Sequence, residues 1–210
     1  ATSAMCVFLN NGGQRVFPIS SIQDAKKIKK EIINPSYLFA AERDGAIFPG
    51  FDLGNSPLLY HNKEFRDISL IITTTNGTHA IQKSKEAGGG IVLASFLNVS
   101  AVVDYIIAAH KTDVLIVCSG WKNRICVEDT ILAGLLSNKL LLNKSFYTNS
   151  DSVLLAQNIC DVSQNNLFDF LSNSSYRKRM DLDEDVKYCL QIDVISSVPV
   201  FSEMKFDNQP

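Results

Sequence analysis

The 210 residues contain no long apolar run, no paired-cysteine motif and no surplus of positive charge. The longest apolar stretches, Ile68 to Ile72 with Ser69 inside it and Val114 to Cys118, fall far short of the ~20 residues a membrane-spanning helix needs. Twenty Lys and Arg against 22 Asp and Glu leave a formal charge of -2, so nothing in the composition holds a nucleic-acid backbone. The five cysteines, Cys6, Cys118, Cys126, Cys160 and Cys189, are odd in number and form no C-x-x-C pair. That argues against a disulfide framework and a structural zinc site, and for a reducing, cytoplasmic setting. Neither a G-x-x-x-x-G-K-[ST] loop nor a G-x-G-x-x-G fingerprint occurs, so nucleoside triphosphate and dinucleotide binding lack their usual support. His61, His79 and His110 have no metal-ligand spacing.

What is present is an alternation of short apolar runs with amphipathic stretches, unbroken by repeats or linkers, which favours one domain spanning residues 1–210. The chain opens with Ala1-Thr2-Ser3 and runs into apolar Ala4 to Leu9 without a basic flank, as if cut inside an element. Ile22, Ala25, Ile28, Ile32 and Ile33 recur at helical spacing around Lys26, Lys27, Lys29 and Lys30, which predicts a helix from Ser21 to Ile33 with a solvated basic face. Tyr37 to Ala41, Ile68 to Thr73, Gly90 to Ala94 and Val114 to Cys118 read as strands buried on both faces. Between them, Thr78 to Ala87, Ser100 to His110 and Val127 to Leu140 read as helices; later helices are predicted at Ser152 to Asp161, Asn166 to Asn173 and Asp183 to Leu190. Val194 to Phe201, with Pro199, suits an edge strand. The expected fold is α/β, three layers with a largely parallel or mixed central sheet.

In an open parallel sheet, ligands bind at the carboxyl ends of the strands. Four predicted strands end in polar clusters: Glu42-Arg43-Asp44-Gly45, Thr73 to Thr78, Ser95-Phe96-Leu97-Asn98, and Cys118-Ser119-Gly120. All four are expected on one edge. Thr75, Asn76, Gly77 and Thr78 lie where a strand hands over to a helix, a place for an oxyanion, although Asn-Gly also makes an ordinary turn. In the helix from Val127, Glu128 falls near the middle of the apolar arc and Asp129 toward its rim. A carboxylate turned inward needs donors, a basic partner or a metal ion. The loop Gly50-Phe51-Asp52-Leu53-Gly54-Asn55-Ser56-Pro57 offers Asp52 to a metal and Asn55 to a substrate, or else is a structural turn capped by Ser56 ahead of Pro57. Cys118 is either a packed thiol or, with a lowered pKa, a reactive one.

These residues resemble the 2-phosphosulfolactate phosphatase family. The matching strings are Ala41 to Gly45 with Gly50 to Pro57, Thr74 to Thr78 with Ala80-Ile81, Ala94 to Asn98, Cys118 to Gly120, Glu128-Asp129 with Ala133-Gly134, and Asp185 to Leu190 through Val198 to Val200. The resemblance implies a magnesium-dependent phosphatase of α/β/α fold that converts 2-phospho-3-sulfolactate to 3-sulfolactate on the route to coenzyme M. Ala1-Thr2-Ser3 looks like the end of the family's Asp-x-x-Arg-Ala-Thr segment, which implies that an N-terminal strand and its charged residues lie upstream. Lys122, Asn123 and Arg124 replace the smaller residues usual in the family. On this reading Mg²⁺ is held by Glu128, Asp129 and Asp52, and the catalytic residues are Glu128, Asp129 and Cys118. Arg43, Asn55, Thr75, Asn76, Gly77, Thr78, Ser95 and Asn98 would bind a small anionic phosphate ester. Two alternatives stay open: a non-catalytic anion-binding domain, or a hydrolase for another small phosphoester. The oligomeric state is likewise open, and a homo-oligomer is compatible with the sequence.

Overall fold

Alternating short strands and amphipathic helices produce a mixed α/β fold around a parallel sheet. The computed structural model describes residues 1–43, 45–174 and 182–201. Contacts divide the chain into two units, Ala1–Leu93 with the segment from Pro199, and Ala94–Val198.

The first unit begins with α1 (Thr2–Asn10), whose Ala4, Met5, Cys6, Val7 and Phe8 are buried. It continues through β1 (Arg15–Ile19), α2 (Ile22–Glu31), β2 (Tyr37–Ala40), the short pair β3 (Glu42–Arg43) and β4 (Ala46–Ile47), β5 (Ser69–Thr73), α3 (Thr75–Lys85) and β6 (Ile91–Val92). Among the described residues the main sheet has the order β1-β5-β2, and both pairings are parallel, with Ile19 opposite Thr73 and Ala40 opposite Ile72. All five residues of β5 are buried, as its β-branched, apolar run requires of a strand covered on both faces. Phe17, Ile19, Phe39 and Ile71 form one face with Ala25 of α2, and Ile28, Ile32 and Phe51 pack against them. Burying one such side chain fully contributes about 1.5–3 kcal/mol. Ser21 caps α2 by accepting the Asp24 amide, which is why the helix starts where the sequence predicts.

The second unit contains α4 (Val99–Ala108), α5 (Val127–Leu141), α6 (Asp151–Ser163), α7 (Leu167–Phe170) and α8 (Asp183–Cys189). The buried residues of α5 are Ile131, Ala133, Gly134, Leu136, Ser137 and Leu140. Gly134 stands in that stripe because α6 approaches closely: a Cβ there would stand 2.0 Å from the Ala156 carbonyl oxygen and 2.7 Å from Cys160 Cβ. Phe96, Ile131, Cys160 and Leu171 complete the local core.

Three strand expectations change. Val114 to Cys118 is in no strand, and Leu115 is 77% exposed. Gly90 to Ala94 reduces to the two-residue β6, which pairs antiparallel with β7 (Val200–Phe201) outside the main sheet. Of the stretch from Val194, only β7 is strand, and Pro199 precedes it, its carbonyl accepting the Leu93 amide. Apolar runs reveal a tendency to be extended, but pairing decides whether a strand exists. Conversely, α1 and β1 lie outside the expected elements; β1 carries Pro18, tolerated because β1 is an edge strand among the described residues.

Candidate active site

The carboxyl edge of the β1-β5-β2 sheet is crossed by the loop from Gly50 to Pro57. The Asp52 amide donates to the Phe39 carbonyl at 2.8 Å, the Ala41 amide to the Leu53 carbonyl at 3.0 Å, and Leu53 bridges Ala40 in parallel. The loop therefore runs beside β2 and then passes over the strand ends. Tyr60, fully buried among Phe8 and Phe65, donates its hydroxyl to the Gly54 carbonyl at 2.8 Å, and burial pushes its phenol pKa up. Asn55 Nδ2 then reaches the carbonyl of Thr73, the last residue of β5, at 3.3 Å. Its Oδ1 is buried and has no partner, a costly state unless something donates to it. Ser56 caps the short turn Pro57–Leu59 through the Leu58 amide, as the structural reading of the loop expects.

Immediately after Thr73 the chain enters α3. Its N-cap Thr74 makes no side-chain cap, and the first-turn amides of a helix have no partner within it. Thr75, Asn76, Gly77 and Thr78 occupy that first turn. The Thr78 hydroxyl bonds back to the Thr74 carbonyl, and a Cβ on Gly77 would touch the Thr74 side chain at 3.4 Å. Positive helix-end potential and uncapped amides at the carboxyl end of a parallel strand suit an oxyanion. Arg43, exposed, sits in the β3-β4 hairpin just beyond β2; its neighbour Asp44 lies outside the described residues.

Asp52 occupies a different place from the one expected of a metal ligand. Its Oδ2 accepts the Phe39 amide at 2.8 Å, and Lys29 Nζ contacts Oδ1 at 3.3 Å and Oδ2 at 3.2 Å. In the sequence, Lys29 is one of four lysines on a solvated helix face and Tyr60 belongs to no motif. Nothing in the local pattern separates Lys29 from its neighbours; only the sheet brings Asp52 to it.

In the second unit, Glu128 and Asp129 lie in the first turn of α5, both half-buried. Glu128 thus does not point into the core, because the buried stripe of α5 is rotated toward Ala133, Gly134 and Ser137 by its packing on α6. Asp129 Oδ2 accepts the Gly120 amide at 2.7 Å. Burial raises the Asp129 pKa, and the Gly120 bond partly opposes the rise. Cys118 is exposed, with Sγ 3.5 Å from the Asp129 carbonyl. Cover over the sulfur and then the Asp129 charge push its thiol pKa up, the reverse of what a thiolate nucleophile requires. Gly120 leads into a tight turn in which Trp121 and Arg124 exchange two backbone bonds of 3.0 Å around Lys122 and Asn123, both at positive φ.

Ser95 and Asn98 form a reciprocal cap: Asn98 Oδ1 accepts the Ser95 amide at 2.8 Å and hydroxyl at 3.1 Å, while Asn98 Nδ2 donates to the Ser197 carbonyl at 3.0 Å. Asn98 is fully buried, so its amide is committed to the fold rather than presented to a ligand. The polar ends of β2 and β5 thus share one sheet edge, whereas Ser95 and Cys118 follow segments that are not strands of that sheet. Among the described residues no three His, Cys, Asp or Glu side chains are grouped to hold a metal ion, and no helix is long and apolar enough to cross a membrane.

A parallel sheet with helices, and with polar residues of the Gly50 to Pro57 loop and of the first turn of α3 gathered at its carboxyl edge, defines an α/β protein. The family model for 2-phosphosulpholactate phosphatase matches residues 1–204, and the chain belongs to this family of phosphoric monoester hydrolases. A relative from Thermotoga petrophila, named probable 2-phosphosulfolactate phosphatase, is 35% identical over 202 residues, covering 95% of this chain and 84% of its own. Relatives of the same name from Caldanaerobacter subterraneus and Nostoc punctiforme are 35% identical over 203 residues and 32% over 210, covering 95% and 97% of this chain and 83% and 85% of theirs.

Proposed function

We propose that the protein hydrolyses 2-phospho-3-sulfolactate to 3-sulfolactate and phosphate with the help of Mg²⁺, as a step toward coenzyme M. The observation that carries this reading is the pairing of the uncapped α3 N-terminus with the buried, unpartnered Asn55 Oδ1 at the end of β5. The amides of Asn76 and Gly77 bind phosphate oxygens and orient the ester. Asn55 Oδ1 accepts a hydrogen bond from a protonated oxygen of the ester or from the attacking water. Arg43, exposed at its hairpin, is suited to a carboxylate or sulfonate arm by a two-point contact.

Glu128 and Asp129 are the proposed holders of Mg²⁺. Their oxygens form a hard donor set, and the raised pKa of Asp129 marks a carboxylate whose charge a cation would compensate. Mg²⁺ commonly takes one or two carboxylates, several waters and a substrate oxygen, so three protein ligands are not required. Asp52 does not fit this set, its carboxylate being engaged by Lys29 and the Phe39 amide. When bound, the ion would supply Lewis-acid polarisation of the phosphoryl group. Cys118, with its raised thiol pKa, is assigned no nucleophilic role. Five free cysteines favour a reducing, cytoplasmic setting.

The test is Mg²⁺-dependent phosphate release from 2-phospho-3-sulfolactate by the parent and by Glu128→Gln. The parent is expected to be active, and the variant to lose on the order of 100-fold in kcat. Turnover by Glu128→Gln at the parent rate removes Glu128 from the site, and binding without turnover by the parent makes the protein a binding domain.

A further inference from the structure

We propose that Lys29 is a positioning residue for the carboxyl-edge site: its ammonium holds Asp52, and Asp52 holds the Gly50 to Pro57 loop on the course that delivers Asn55 to the end of β5. The inference rests on reading that edge as the phosphate site. Lys29 Nζ lies 3.3 and 3.2 Å from the two Asp52 oxygens, and 5.0 and 5.8 Å from the ring centroids of Phe39 and Phe51. Its ammonium is thus used twice, by the Asp52 carboxylate of the loop and by the rings of Phe39 in the sheet and Phe51 in the loop.

The neighbouring lysines do other things. Lys26 lies over the Phe48 ring at 4.7 Å, and Lys27 pairs with Asp24 at 3.6 Å. Asp52 joins three parts of the fold, because the same carboxylate oxygen that meets Lys29 also accepts the Phe39 amide at 2.8 Å. Three residues farther along, Asn55 holds the Thr73 carbonyl at 3.3 Å while its Oδ1 stays buried and unpaired. An unpaired buried acceptor relaxes toward water unless its backbone is held. The Asp52 clamp on one side and the Tyr60 hydroxyl on the Gly54 carbonyl on the other do that holding. Without the Lys29 charge, the Asp52 side chain keeps only the Phe39 amide, the main-chain bonds of Asp52 and Leu53 to β2 still hold the loop there, and the course beyond them to Asn55 shifts.

Lys29→Met keeps a long unbranched side chain and removes the charge. Two quantities are measured in the full chain: the dissociation constant of inorganic phosphate by calorimetry, and the Asn55 side-chain amide resonances by ¹⁵N–¹H NMR, assigned with Asn55→Asp. The expected result is displaced or broadened Asn55 signals with phosphate binding weakened roughly tenfold, while Lys29→Arg and the control Lys27→Met stay within about threefold of the parent. Asn55 signals in their parental positions in folded Lys29→Met, with phosphate affinity within about twofold of the parent, overturn the proposal. If the parent binds no phosphate yet Lys29→Met displaces the Asn55 signals, the positioning role stands and the phosphate reading of the edge fails. Should Lys29→Met not fold, Asp52→Asn must displace the same signals, and unchanged signals there overturn the proposal equally.

Discussion

The amide of Gly120 donates to Asp129 Oδ2 across 2.7 Å, and it does so from a residue at φ +63° whose missing side chain leaves room for the Arg124 carbonyl. A Cβ there would stand 2.6 Å from that oxygen. Gly120→Ala is therefore expected to open the Trp121–Arg124 turn and to cost about 1–2 kcal/mol in thermal unfolding. It also deprives Asp129 of the bond that restrains its pKa, so a ¹³C carboxyl titration is expected to place Asp129 higher in the variant than in the parent. An unchanged Asp129 titration would show that the Gly120 amide does not act on that carboxylate.

Gly134 is the point of closest approach between α5 and α6. Gly134→Val forces a side chain into the Ala156 carbonyl, where even a Cβ has only 2.0 Å. The helices must separate, at an expected cost of about 3 kcal/mol or more. Thermal or urea unfolding checks this, and a loss below about 1 kcal/mol would mean that the helices part easily.

Asp193 ties the segment after α8 to α4. Its carboxylate accepts the Ser100 amide at 2.6 Å and hydroxyl at 2.7 Å and pairs with Lys139 at 3.3 Å. Burial alone would raise its pKa, but the two Ser100 bonds and the Lys139 ammonium outweigh it, so the folded value is lowered from 3.8. A depressed folded pKa contributes stability above the unfolded value that is lost as pH falls through the folded one. Asp193→Asn is expected to be less stable than the parent at neutral pH, the difference shrinking below pH about 4. Parallel stability curves for the two proteins across that range would remove Asp193 from the acid response.

Tyr60→Phe removes the hydroxyl that holds the Gly54 carbonyl and leaves that acceptor under buried aromatic cover, at an expected cost of about 1–3 kcal/mol. Because burial raises the folded phenol pKa, the unfolded chain ionises first on the alkaline side and parental stability falls above pH about 10. The variant is expected to lose that part of the alkaline fall. Denaturant midpoints measured at pH 7 and above 10 check both statements.

The legible parts of the chain are those in which local chemistry and burial agree. The Ser21 cap with the 3.6-residue spacing of Ile22 to Ile32 located α2, and the apolar Leu70 to Ile72 centre of β5 announced a strand covered on both faces. Thr74 to Thr78 showed the handover from β5 to a helix, because strand, turn residues and helix lie together in sequence, although α3 begins at Thr75 rather than at the expected Thr78. Ser95 and Asn98 were misleading for the opposite reason: polar residues after an apolar run look ligand-facing until the Ser197 carbonyl, distant in sequence, accepts the Asn98 amide.

By itself the sequence determined the family, the alternation of strands and helices, and the residue types available to hold an anion, since these depend on composition and on neighbours a few positions apart. Tertiary structure decided which groups are committed elsewhere. It engaged Asp52 with Lys29 across 23 positions, brought Asn55 to Thr73 across 18, and rotated α5 so that Gly134 rather than Glu128 faces its packing partner. The physical reason is that hydrogen bonds and close packing between segments distant in sequence are set by the register of the sheet and the separation of the helices, which no local pattern encodes.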